Sequence, residues 1–117
     1  MPASYTAFYE FADTGESVTA EEGRRVDGAY VLRELLGRLR NDADFLGLID
    51  DRDTTLQLLY DAGSNTYWAE IPVVAEKGSY GAWLSFHGVV ALIQGLPSRF
   101  EVPAFPGFSF QRFGVRN

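Results

Sequence analysis

Ala29, Leu32, Leu35, Leu36 and Leu39 recur at the three- and four-residue spacing that lays them along one side of a helix, while most apolar residues around them alternate in period two. A chain that changes period in this way has to combine a helix with a sheet. The spacing predicts a helix from about Val26 to Asn41, and local chemistry agrees. Glu21, Glu22 and Asp27 lie near its positive end, Arg38 and Arg40 near its negative end, and Glu34 precedes Arg38 by four residues. Gly28 and Gly37 weaken it, each by up to about 1 kcal/mol relative to alanine.

The period-two segments read as strands bounded by turn clusters. Tyr5 to Ala12 (YTAFYEFA) ends in Asp13-Thr14-Gly15, and Glu16 to Thr19 reads as a short return strand. Asp44 to Ile49 and Thr54 to Tyr60 flank the acidic turn Asp50-Asp51-Arg52-Asp53 as a hairpin would. After the turn Asp61 to Asn65, Thr66 to Val74 places Tyr67, Ala69, Ile71 and Val73 on one face and Trp68 with Glu70 on the other. Pro72 has no N–H for a ladder, so this strand is expected at an edge or ending there. Glu76 to Gly81 reads as a loop. Ser85 caps a second helix with Phe86, Val89, Val90 and Ile93 on one side, ended by Gly95 and Pro97. In the tail, a Pro106-Gly107 turn precedes a short strand around Phe108 and Phe110.

The expected fold is therefore α+β: an antiparallel meander of about four to six strands with two helices packed on one face. With 117 residues the chain suits one domain, 1–117, since a second core would leave each half barely able to offset chain entropy. A hydrophobic share of 46% is ample for that core. Cysteine is absent, which excludes disulfides, thiolate metal sites and cysteine nucleophiles. The start, MPASYTAFYEF, lacks the pattern of a secretory signal and no stretch suffices for a membrane span, so the expected location is cytoplasmic. One lysine against nine arginines suggests a bacterial or phage source with GC-rich codons.

Charge is uneven. The net value is -6, and through Asp61 thirteen acids face six arginines, whereas beyond it three acids face four basic residues. Such a field disfavours nucleic acid and anionic lipid and attracts a basic protein.

Candidate chemistry is sparse. The Asp50–Asp53 turn offers carboxylates but not the order of a calcium loop, and reads as a solvated turn or a contact with a basic partner. His87 is the only histidine, so any imidazole catalysis runs through it, yet neither Ser85 nor Ser98 lies in a nucleophile elbow. Glu70 beside Trp68 suits acid catalysis only with a second carboxylate across a cleft; its other use is recognition of an Arg or Lys. The glycines fit no phosphate-binding loop. No metal and no cofactor are expected. Phe100, Phe105, Phe108, Phe110 and Phe113 either close the core or form an association patch.

The order of elements, a helix, the FLGLIDDRDTTLQLLYD hairpin, the YWAEI strand, a loop and the apolar helix FHGVVALIQGL, resembles small immunity proteins of bacterial polymorphic-toxin systems over roughly residues 26–97. Leu56-Gln57 matches a Leu-Gln step in that group, and Tyr67 to Glu70 its Tyr-x-x-Glu-like strand. The tail after Pro97 lies outside the match. The resemblance implies a stoichiometric, non-catalytic inhibitor of a cognate toxin.

The expected function is thus an acidic protein-binding inhibitor whose partner, a toxin or nuclease, is basic. Asp50, Asp51, Asp53, Asp61 and Glu70 supply the charged surface, and Trp68 or Trp83 the anchors. Two alternatives stay open: a phage-encoded anti-CRISPR-type inhibitor acting by nucleic-acid mimicry, and a small enzyme or ligand-binding domain built on His87 or Glu70. Self-association through the edge strand or the aromatic tail would give a homodimer.

Overall fold

Strand β1 (Ser4–Phe11) organises one half of the molecule because it is paired along both edges. In the computed structural model, which describes residues 3–101, 105 and 107–113, the chain leaves β1 through a turn closed by Gly15 N–H to Phe11 O. It returns as β2 (Glu16–Val18). A 3-10 turn over Ala20–Glu22 follows, where Thr19 and Glu22 satisfy each other's backbone N–H in a capping box. The chain then rejoins the same edge of β1 as β3 (Arg24–Asp27), with Ser4 opposite Asp27 and Tyr5 opposite Val26.

This pairing corrects the start of the first helix. Val26 is strand, because Arg24–Asp27 fill the vacant part of the β1 edge. The helix begins at α1 (Gly28–Tyr30), capped by the Asp27 carboxylate, which accepts the Tyr30 N–H at 2.9 Å. It widens into a π-helix over Val31–Leu35 and tightens to 3-10 geometry over Leu36–Arg38. The widening shifts the helical phase, so Val31 joins Leu35, Leu36 and Leu39 in the core while Ala29 turns to solvent. The far end stops short of Asn41 because the Arg40 and Asn41 N–H groups bond to Asp44 Oδ2.

Strands β4 (Phe45–Ile49), β5 (Thr55–Asp61), β6 (Thr66–Val73) and β7 (Gly78–Leu84) form the meander. Helix α2 (Phe86–Gln94) follows, capped as expected by Ser85, and the last strand is β8 (Ser109–Arg112). The sheet runs β2-β1-β4-β5-β6-β7-β8, with β3 beside β2 on the β1 edge and every pairing antiparallel. The fold is α+β, with more strands than the four to six expected. The segment read as a loop, Glu76 to Gly81, is mostly β7; the reversal is confined to the 3-10 turn Val74–Glu76 and Lys77. Strand β6 is interior rather than at an edge, and Pro72 is tolerated because the ladder to β5 reaches only Glu70.

Both helices lie on one face. Tyr5, Ala7, Tyr9 and Phe11 of β1, Leu46, Leu48, Leu56, Leu58, Ala69 and Ile71 meet Val31, Leu35, Leu36, Val89 and Ile93 in one buried cluster. Phe100 and Phe105 close it, Phe100 stacking on Tyr5 at 5.2 Å between ring centres. Burial and the Asp50 charge keep the Tyr5 phenol protonated beyond its usual range, and its hydroxyl donates to Pro97 O at 2.7 Å. Phe108 packs against the cluster's margin, while Phe110 and Phe113 are exposed. The Pro106-Gly107 turn lies partly outside the described residues, at Pro106.

Candidate functional site

Period-two alternation gives the sheet a second face, on the side away from both helices. Across it, Glu10, Phe45, Leu59, Trp68 and Trp83 stand in register on β1, β4, β5, β6 and β7. The adjacent row is Phe8, Gly47, Gln57, Glu70 and Gly81. These are outward positions, where a solvated sheet carries polar residues, yet four of the first five are apolar or aromatic.

Two glycines let the aromatic rings lie flat. A Cβ on Gly47 would stand 2.1 Å from the Phe8 ring, and one on Gly81 would stand 2.6 Å from the Trp68 ring and 2.7 Å from Ala69 O. Phe8 therefore covers Gly47, and Trp68 covers Gly81, shielding backbone that lacks a side chain. Trp83 leans on Trp68 with ring centres 5.3 Å apart and Phe8 on Phe45 at 6.1 Å. Trp68 is 3% exposed, whereas Trp83 keeps 47%. Glu70 Oε1 accepts from Trp68 Nε1 at 2.9 Å and from Ser79 Oγ at 3.0 Å, which fixes the indole's orientation.

Where this face meets the β5–β6 turn, Ala43, Leu59, Tyr60, Asp61, Trp68 and Trp83 line an open pocket of about 250 Å³. Its rim is held by carboxylates. Asp42 accepts the Ala62 N–H at 2.7 Å, and Asp61 accepts from Ser64 Oγ at 2.8 Å and Gly63 N–H at 3.2 Å. Between Asp42 and Asp44, Ala43 adopts a left-handed φ of 75°, a conformation costing a non-glycine residue about 1 kcal/mol or more. Asp44 compels it. Its buried carboxylate takes N–H bonds from Ala12, Arg40 and Asn41, each at 2.9 Å. Burial alone would raise its pKa, but these bonds outweigh it and hold the group below the ordinary aspartate value.

The residues named from sequence do not share one place. Asp50 has to be removed from the charged surface: it is 5% exposed, and its carboxylate accepts the Arg52, Thr54 and Phe100 N–H groups at 2.9, 2.9 and 2.7 Å. It ties the tail to the β4–β5 turn. Asp51 and Asp53 are exposed there, with Asp51 3.4 Å from Arg99. Asp61 sits at the opposite end of β5, seven strand residues away, or roughly 20 Å at about 3.3 Å per residue. Trp68 is buried apart from what it lends to the pocket wall, and Trp83 is the exposed indole. Phe8, Phe45 and Leu59 were missed, although their apolar character at alternate, outward positions was a readable signal.

His87 is exposed at the start of α2, against Phe86, while Glu70 is on the far side of the sheet. The sheet separates them, so they do not converge on one pocket. Among the described residues no three His, Cys, Asp or Glu side chains are grouped to hold a metal, and no helix is long and apolar enough to cross a membrane. Compared with known proteins, the chain matches no family model, no curated protein and no solved structure.

Proposed function

We propose that this chain is a non-catalytic, protein-binding inhibitor of immunity type, which neutralises a basic toxin or nuclease by docking it on the helix-free face of the sheet. One observation carries this reading: an outward row of apolar side chains ending in half-exposed Trp83, with Glu10 in the same row and Asp61 beside it. An exposed aromatic on a rigid strand loses little entropy on binding and fits the role of anchor, while neighbouring acids orient a basic partner. Nucleic-acid mimicry would favour acids strung along one face. The division of Asp51 and Asp53 from Asp61 favours an apolar anchor with a charged rim instead.

The test is affinity capture with the tagged chain from its native lysate at low and moderate salt, run beside Trp83→Ala. A basic protein retained by the parent, loosened by salt and lost with Trp83→Ala is the expected result. Capture of the same protein at equal yield by Trp83→Ala would refute the assignment of this face.

A further inference from the structure

The pocket between Trp68, Trp83 and Asp61 has a shape and chemistry that point to a particular partner group. Its volume of about 250 Å³ falls below the roughly 300–1,000 Å³ usual for a drug-sized ligand, and suits one inserted side chain. Two indoles and Leu59 line it, and the Asp61 carboxylate closes one side. Indole surfaces attract a cation held over them, most strongly where water is thinned out, and a planar guanidinium can stack there while presenting N–H donors to a carboxylate. Asp61 has two bonds from its own turn, to Gly63 N–H and Ser64 Oγ. A carboxylate has about four acceptor positions, so capacity for an incoming donor remains.

We infer that this pocket receives an arginine side chain of the docked protein, its guanidinium stacked against Trp83 and hydrogen-bonded to Asp61. The inference rests on the docking role given to this face and adds to it the identity of the group that is read. The pocket is prepared in advance. Trp68 is fixed by its bond to Glu70 and by its seat on Gly81, so little ordering of this wall remains to oppose insertion. The overall charge of -6 works in the same direction.

Two tryptophans give two indole N–H signals, so the full-length chain labelled with nitrogen-15 can be titrated with a capped peptide of alternating glycine and arginine. A matched peptide carries neutral citrulline in place of arginine. Saturable movement of the indole signals with the arginine peptide is expected, with movement at least about threefold weaker for citrulline. Asp61→Asn should weaken arginine binding roughly two- to fivefold, and Asp51→Asn at the far turn should leave it unchanged.

Equal response to the two peptides, with Trp83→Ala abolishing both, would overturn the arginine assignment while leaving the docking face intact. Movement confined to signals of the Asp51 turn would overturn both. Indole signals unmoved by either peptide, alongside capture of a basic protein that still requires Trp83, would also overturn arginine insertion while sparing the face.

Discussion

The two faces of this one sheet are built from the same strands, one beneath both helices and the other on the far side from them. Beneath the helices, Leu46, Leu48, Leu56 and Leu58 are each exposed by 1% or less, interlocked with Val31, Leu35 and Val89. One residue along in each strand, Phe45 and Leu59 face the other way and stay half-buried, Phe45 against the Phe8 ring that covers Gly47. The difference teaches that apolar character alone does not locate a core. A side chain contributes most to stability where a second layer closes over it, as the two helices do over the first face.

The sharpest way to break that contrast is to truncate neighbours in β5. Leu58→Ala should cost about 3 kcal/mol or more in urea unfolding, and Leu59→Ala less than about 1.5 kcal/mol, since part of its surface already meets water. Equal losses would mean that the second face is as much a core as the first. Next in size is the turn that anchors the tail. Asp50→Ala orphans three backbone N–H groups and should cost about 2–4 kcal/mol, while exposed Asp51→Ala should stay within about 0.5 kcal/mol.

Gly81→Ala sharpens the contrast from the other side. The new methyl collides with the Trp68 ring and Ala69 O, so a loss of about 1–3 kcal/mol should accompany a change in tryptophan fluorescence. An unchanged spectrum would show that Trp68 does not rest on that glycine. The smallest effect is expected from pH. Asp44 has its folded pKa depressed below the ordinary value of 3.8. Its stabilisation is therefore complete above that value and is lost as pH falls through the folded one. Asp44→Asn should lower stability near neutral pH and flatten the acid limb of the stability curve. An acid limb as steep as the parent's would remove Asp44 from that role.

Much of the helix-covered face was legible because alternation and helical spacing report burial directly. Tyr67, Ala69 and Ile71 in β6, and Val89 and Ile93 in α2, lie where their spacing placed them. The start of the first helix was not legible, because Arg24–Asp27 pair with a strand some twenty residues earlier, and local propensity does not carry that contact. Strand β7 was hidden by Gly78 and Gly81, which weaken a strand signal; Gly81 is there because the Trp68 ring occupies the space of a side chain. For the site, the proposal for Trp83 needs an exposed indole, and Trp83 is exposed. Asp50 was misread because an aspartate in a turn looks the same in sequence whether its carboxylate meets water or three backbone N–H groups.

The central claim is that the helix-free face meets the partner. Hydroxyl-radical footprinting of the chain alone and in complex with its captured protein tests it most directly, because exposed aromatic side chains oxidise readily on both sides of the sheet. Trp83 and Phe86 begin from similar exposures of 47% and 45%, which makes them a matched pair. Protection of Trp83, Phe45 and Phe8 with Phe86 and His87 still oxidised is the predicted pattern; protection of Phe86 and His87 with Trp83 unchanged would contradict it.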